Sequence, residues 1–185
     1  MNNKQLFAIL KKNEINYGRL EDIVYNTLIF SIFEILCKEI KKNKMEVSIA
    51  NSFRQNRNHI LVVEKLINEF IGCKLTNMEY EIIYKMLLAF LRKGNNRKLY
   101  SEVFKNNLLL IQNNRCPICN SDIDINNAEL DHKVAWHYVG DELEDNLQML
   151  CSSCNEKKNK SVTFELQMLL YNKYNNVNSE QKKVV

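Results

Sequence analysis

Hydrophobic residues recur every three or four positions through the first ~110 residues, and that period predicts helices. Leu6, Ile9 and Leu10 predict a short opening helix. Leu20, Ile23, Val24, Thr27, Leu28, Ser31, Ile32, Ile35 and Leu36 predict a long second one, fading in the polar run Lys41-Lys42-Asn43-Lys44. Residues 45–53 carry no decisive period and read as a strand or a loop. Ile60, Val63, Leu66, Ile67 and Phe70 mark another helix, stopped near Gly72. Thr76, with Glu79 three residues on, forms a capping box for the next. That helix carries Tyr80, Ile83, Tyr84, Leu87, Leu88 and Leu91 and stops before Gly94. A further helix is expected from Leu99 to Gln112.

After Asn113 the texture changes, and short segments rich in Cys, Asp and Asn replace the long helical stripes. Residues 128–135 and 147–150 are expected to be strands. A helix is expected to start near Ser152–Asn155 and break at Lys160-Ser161, followed by a last one over Thr163 to Tyr174 and a frayed tail after Asn175. The fold class is therefore mainly α: a helical N-terminal domain over residues 1–105 and a second, differently built domain over 106–185.

Charge sharpens that division. The formal net charge of +4 is uneven: residues 1–105 carry 18 Lys/Arg against 11 Asp/Glu, and residues 106–185 carry 8 against 11. A basic front half joined to an acidic back half suits a chain that holds a polyanion with one part and processes it with the other. Within the front half, Arg92-Lys93-Gly94-Asn95-Asn96-Arg97-Lys98 is expected to be a hinge or a phosphate-contacting turn, or simply a solvated loop. No apolar run reaches the ~18 residues of a membrane span, and the N-terminus shows no secretion-signal pattern. A cytoplasmic protein without a membrane partner is expected.

A reducing compartment changes the meaning of the six cysteines. Cys37 and Cys73 stand alone among apolar residues and read as buried thiols. The other four form two Cys-x-x-Cys pairs, Cys116/Cys119 and Cys151/Cys154, with 31 residues between the pairs. Four thiolates at this spacing can close a tetrahedral zinc site, which would staple a subdomain too small to fold on its own core.

Between the pairs lies Glu129-Leu130-Asp131-His132, and Asn155 directly follows the second pair. Adjacent strand residues point to opposite faces, so Asp131 and His132 need a bend, or a division of labour, to act on one phosphate. The division is carboxylate to a metal and imidazole to a water. The Asn155 amide oxygen is a hard ligand suited to Mg²⁺ or Mn²⁺.

Taken together, Cys116-x-x-Cys119, Asp131-His132 and Asn146-Leu-Gln-Met-Leu-Cys151-x-x-Cys154-Asn155-x-x-Lys158 resemble the zinc-containing branch of the HNH endonuclease superfamily. The likeness covers about residues 110–160. It implies a zinc-stapled ββα-metal fold and a one-metal nuclease whose motif letters fall on His132, Asn146 and Asn155. Where relatives often carry Pro and paired Gly after the Asp-His, this chain has Ala135 and a single Gly140.

The resemblance implies His132 as general base, since an imidazole titrates near neutral pH. Asp131 and Asn155 would hold one divalent cation, Mg²⁺ or Mn²⁺, against the scissile phosphate. Asn146 would pin the loop and orient the His132 ring. Lys157, Lys158 and Lys160 are expected beside the phosphates or on a solvated helix face, and His137 on the DNA backbone or packed beside Trp136.

The expected function is a divalent-metal-dependent endonuclease hydrolysing DNA, in restriction or anti-phage defence. The helical half could read DNA, form a homodimer, or dock a regulatory protein such as an ATPase. The rival readings are a zinc-ribbon module that binds nucleic acid without cutting it, and an adaptor.

Overall fold

The computed structural model describes residues 11, 17–159, 161 and 168. The expectations for Leu6–Leu10, for Lys160, for the last helix apart from Met168, and for the tail lie outside the described residues. The described chain is mostly helical, with seven helices and one two-stranded sheet. The elements are α1 (Tyr17–Lys42), α2 (Glu46–Gln55), α3 (His59–Phe70), α4 (Asn77–Arg92), α5 (Glu102–Ile111), β1 (Ala128–His132), α6 (Trp136–Val139), β2 (Leu147–Cys151) and α7 (Ser152–Lys158). Among the described residues no helix is long and apolar enough to cross a membrane.

Caps set several of these boundaries. Asn58 accepts from the Leu61 amide at the start of α3, and Ser101 accepts from the Phe104 amide at the start of α5. At α4 the capping box is present in full: Thr76 Oγ1 accepts from the Glu79 amide at 3.3 Å, and the Thr76 amide donates to Glu79 Oε2 at 2.6 Å.

Residues 46–55 correct the expectation of a strand or loop, because they form α2. The reason lies in tertiary packing. Ile49 and Phe53, one helical turn apart, are buried, and the Phe53 ring meets Tyr84 edge-on at 5.0 Å. Burial of that stripe outweighs the weak helix preference of Val47, Ile49 and Ser48.

The long helices bury one core. Phe33, Leu36 and Ile40 of α1 meet Val63 and Ile67 of α3 and Ile83, Leu87 and Phe90 of α4. Val134, Ala135, Tyr138 and Val139 sit in that same cluster, so the loop after β1 is packed into the helical half. Phe33 stands between Phe90 and Tyr138, meeting both rings edge-on at 6.5 and 5.9 Å. Tyr138 also donates to Glu34 Oε1 at 2.8 Å. Cys37 is buried in this core, and burial pushes its thiol well above the ordinary range, whereas Cys73 is half-buried.

A second, smaller core holds Leu109 of α5 with Ile118, Ile123, Met149, Leu150 and the buried thiols Cys116 and Cys154. Here β1 and β2 run antiparallel, pairing Glu129 with Leu150, Asp131 with Gln148 and His132 with Leu147. The first strand ends at His132 instead of reaching 135, because the chain turns there and carries Val134 inward while Lys133 stays exposed. The Lys133 amide donates to the Asn146 carbonyl at 2.7 Å, and Val134 enters the large core.

Candidate active site and metal centre

The four cysteines of the two pairs come together. Their sulfurs all lie within 4.8 Å of one another, and Cys119 Sγ is 3.7 Å from Cys151 Sγ. Zinc–thiolate bonds of about 2.3 Å in a tetrahedron place sulfurs about 3.8 Å apart, so this donor set fits zinc.

Local backbone structure builds the site. The Cys116 amide donates to the Ser121 carbonyl and the Asn120 amide to the Cys116 carbonyl, with Asn120 at φ 63° closing the knuckle. On the other side, Cys151 ends β2 and caps α7, whose first turn carries Cys154.

The electrostatics of the bare thiols also favour a cation. Burial pushes Cys116 and Cys154 up, and for Cys154 the neighbouring thiols add to the shift. Burial also raises Cys119, but hydrogen bonds from Ser121 and the other thiols outweigh it and bring that group to about 7. Four clustered thiols resist joint ionisation unless a metal neutralises them.

Beside this centre is a cleft of about 530 Å³, lined by Arg97, Leu130, Asp131, His132, Ala135, Trp136, His137, Asn155, Glu156 and Asn159. Asp131 and His132 therefore reach the same cleft although they are neighbours on β1. His132 is the last residue of the strand, where the chain turns.

Asp131 Oδ2 is held by Gln148 Nε2 at 2.8 Å and by Lys158 Nζ at 3.0 Å. Asn155 donates through Nδ2 to Glu129 Oε2. A carboxylate can only accept, so the Asn155 amide oxygen is turned away from Glu129. Asp131 and Asn155 thus each keep an oxygen for a hard cation. Hydrogen bonds from Asn155 and Ser152 hold Glu129 below the usual carboxylate range.

Asn146 is buried, and its amide clasps one residue: Oδ1 accepts from the Val134 amide at 2.8 Å, and Nδ2 donates to the Val134 carbonyl at 2.9 Å. It pins the loop after His132. Its hydrogen bonds run to Val134, and the side chain that faces the His132 ring is Asp141. His132 Nε2 meets Asp141 Oδ1 at 2.9 Å.

Asp141 is itself held by three further donors: the Lys98 amide at 2.9 Å, Tyr100 Oη at 2.8 Å and Trp136 Nε1 at 3.0 Å. Burial alone would raise this carboxyl, but those bonds keep it far below the ordinary range. Tyr100 moves the other way, pushed up to about 12 by burial and by the Asp141 carboxylate.

Lys158 is a correction. Expected beside the phosphates or on a solvated helix face, it is 5% exposed, and its ammonium is committed to Asp131 and, at 2.8 Å, to the His132 carbonyl. A lysine buried at the end of a short helix cannot leave its partners without depriving the largely buried Asp131 carboxylate of its counter-charge. Lys157, by contrast, is exposed, as is His137, which lines the cleft with its ring 4.4 Å from Tyr138.

The basic stretch after α4 is tied to the site. Lys93 Nζ donates to the His137 carbonyl at 2.7 Å, and both Lys93 and Arg97 lie over the Trp136 ring. Gly140, at φ 60°, lies so close that an added Cβ would come within 3.1 Å of the Lys93 Cβ.

Sequence reasoning missed Asp141, Gln148, Tyr100 and the amide-fixing role of Glu129. For Glu129 and Gln148 a signal existed: period-two alternation places Glu129 on the Asp131 face, and the antiparallel register sets Gln148 opposite Asp131. Asp141 carried none, because eight residues of loop and helix lie between it and His132.

Residues 116–161 match the family model described as HNH endonuclease. No curated protein and no solved structure matches the chain.

Proposed function

We propose that this chain, which carries a C-terminal HNH endonuclease domain with a four-cysteine cluster suited to zinc, is a divalent-metal-dependent endonuclease that hydrolyses DNA phosphodiesters. The observation that carries the reading is the single cleft shared by Asp131, His132 and Asn155. His132 is the general base. Its Nε2–H is given to the Asp141 carboxylate, which leaves Nδ1 unprotonated to take the proton of an attacking water.

Asp131 and Asn155 would hold Mg²⁺ or Mn²⁺, which would supply charge stabilisation for the phosphorane-like transition state and the departing 3′ oxygen. Water adds to phosphorus as the P–O3′ bond breaks, giving 5′-phosphate and 3′-hydroxyl ends. Asn146 keeps the loop after the base in place, while Lys157 and His137, exposed near the cleft, contact flanking phosphates. Lys158 is removed from that set and assigned to holding Asp131.

One such site cuts one strand, so double-strand cleavage requires a second copy or a second visit. The basic front half suits retention on DNA, and restriction or anti-phage defence is the setting proposed for a nuclease of this build.

The test is cleavage of supercoiled plasmid by wild type and His132→Ala, with EDTA, Mg²⁺ and Mn²⁺ in parallel. Metal-dependent nicking that disappears in the variant, with DNA affinity kept, supports the reading. Cleavage by the variant at the wild-type rate, or unchanged cleavage in EDTA, overturns it.

A further inference from the structure

Asp141 lies outside the motif letters of the site, yet its carboxylate faces the His132 ring across 2.9 Å and its side chain is only 3% exposed. Each of its oxygens takes two donors. Oδ1 accepts from His132 Nε2 and Tyr100 Oη, and Oδ2 accepts from Trp136 Nε1 and the Lys98 amide. Two of the four donors come from the segment between α4 and α5, which belongs to the helical half. We propose that Asp141 is the positioning residue of the base, fixing the His132 tautomer and ring plane, and that the strap at Lys98–Tyr100 holds Asp141 in place for that task. The proposal deepens the nuclease reading above and rests on His132 being the base.

The donor set makes a sharp prediction for Asp141→Asn. The Trp136 indole and the Lys98 backbone can only donate, so the new amide must turn its oxygen toward them. Its NH₂ then faces His132 and Tyr100. The Tyr100 hydroxyl can rotate to accept. The His132 ring can accept at Nε2 only by carrying its proton on Nδ1, the nitrogen that must be free to take a proton from water. The substitution therefore conserves volume while exchanging the tautomer. Tyr100→Phe removes one donor and leaves the oxygens of Asp141 in place, so the tautomer is kept with a looser ring.

The experiment combines side-chain ¹⁵N chemical shifts of His132 with steady-state nicking, metal-free DNA affinity and melting temperature, for wild type, His132→Ala, Asp141→Asn and Tyr100→Phe. Wild type is expected to show a protonated Nε2 and a bare Nδ1. Asp141→Asn is expected to reverse that pattern and lose ~100-fold or more in kcat, with KM and DNA affinity within about threefold of wild type. Tyr100→Phe is expected to lose several-fold in kcat with the wild-type tautomer.

A protonated Nδ1 in the wild type overturns the proposal, whether or not Asp141→Asn folds. So does Asp141→Asn cleaving within about threefold of wild type while His132→Ala is dead. Full activity of His132→Ala would instead remove the base assignment, and this proposal with it.

Discussion

At the residue scale, the site depends on side chains whose task is to hold other side chains in place. Lys158 shows this most clearly, because its ammonium stands between the Asp131 carboxylate and the His132 carbonyl, the two groups that the chemistry needs held still. Lys158→Met leaves a largely buried carboxylate without its cation, and such losses cost about 3 kcal/mol or more. Urea denaturation of the metal-free protein is expected to show that loss, whereas a lysine serving only as a phosphate contact would leave stability unchanged and weaken DNA binding instead.

Glu129 plays the matching part for Asn155. Glu129→Gln can present an NH₂ to the Asn155 amide and let it flip, so the concentration of Mg²⁺ or Mn²⁺ needed for half-maximal cleavage is expected to rise about tenfold. A metal titration that superimposes on the wild type would remove Glu129 from the site. The sequence made the motif residues legible because they occur at fixed spacings. It hid Asp141 because a hydrogen bond across a loop leaves no periodic trace.

At the scale of elements, legibility followed the strength of local signals. The start of α4 was readable from Thr76 and Glu79, since a capping box is a contact between residues three apart. Thr76→Ala is expected to lower stability by about 1 kcal/mol in chemical denaturation without altering cleavage, because α4 meets the site only through its far end. By contrast, α2 could not be read. Its ten residues gain their helix by burying Ile49 and Phe53 against α3 and α4, and that information lies in other parts of the chain. The expected strand over 128–135 was too long for a related reason: the apolar residues Val134 and Ala135 continue a strand-like run in sequence but serve the helical core in space.

At the scale of the whole molecule, the two expected halves are joined at the loop that follows His132. Among the described residues the zinc-side core is small, with seven buried residues, two of them thiols of the metal-binding cluster. Without metal, nothing bonds the four clustered thiols to one another. Stripping zinc with a strong chelator is therefore expected to unfold β1, β2 and α7 and to abolish cleavage even with Mg²⁺ present, while far-UV circular dichroism keeps most of the α1–α4 signal.

The loop that carries His132 away from β1 takes its stability from the other side. Val134, Ala135, Tyr138 and Val139 are buried among α1, α3 and α4, and Asp141 is held by Lys98 and Tyr100. A fragment of residues 106–185 loaded with zinc would keep every motif letter and lose all of those supports. It is expected to bind zinc, expose an apolar loop that takes up a hydrophobic dye, and cleave plasmid at least ~100-fold more slowly than the full chain, because tight packing around a base is what holds it within reach of its water. Wild-type cleavage by that fragment would show instead that the helices serve only to bring DNA or a partner, and that the loop orders without them.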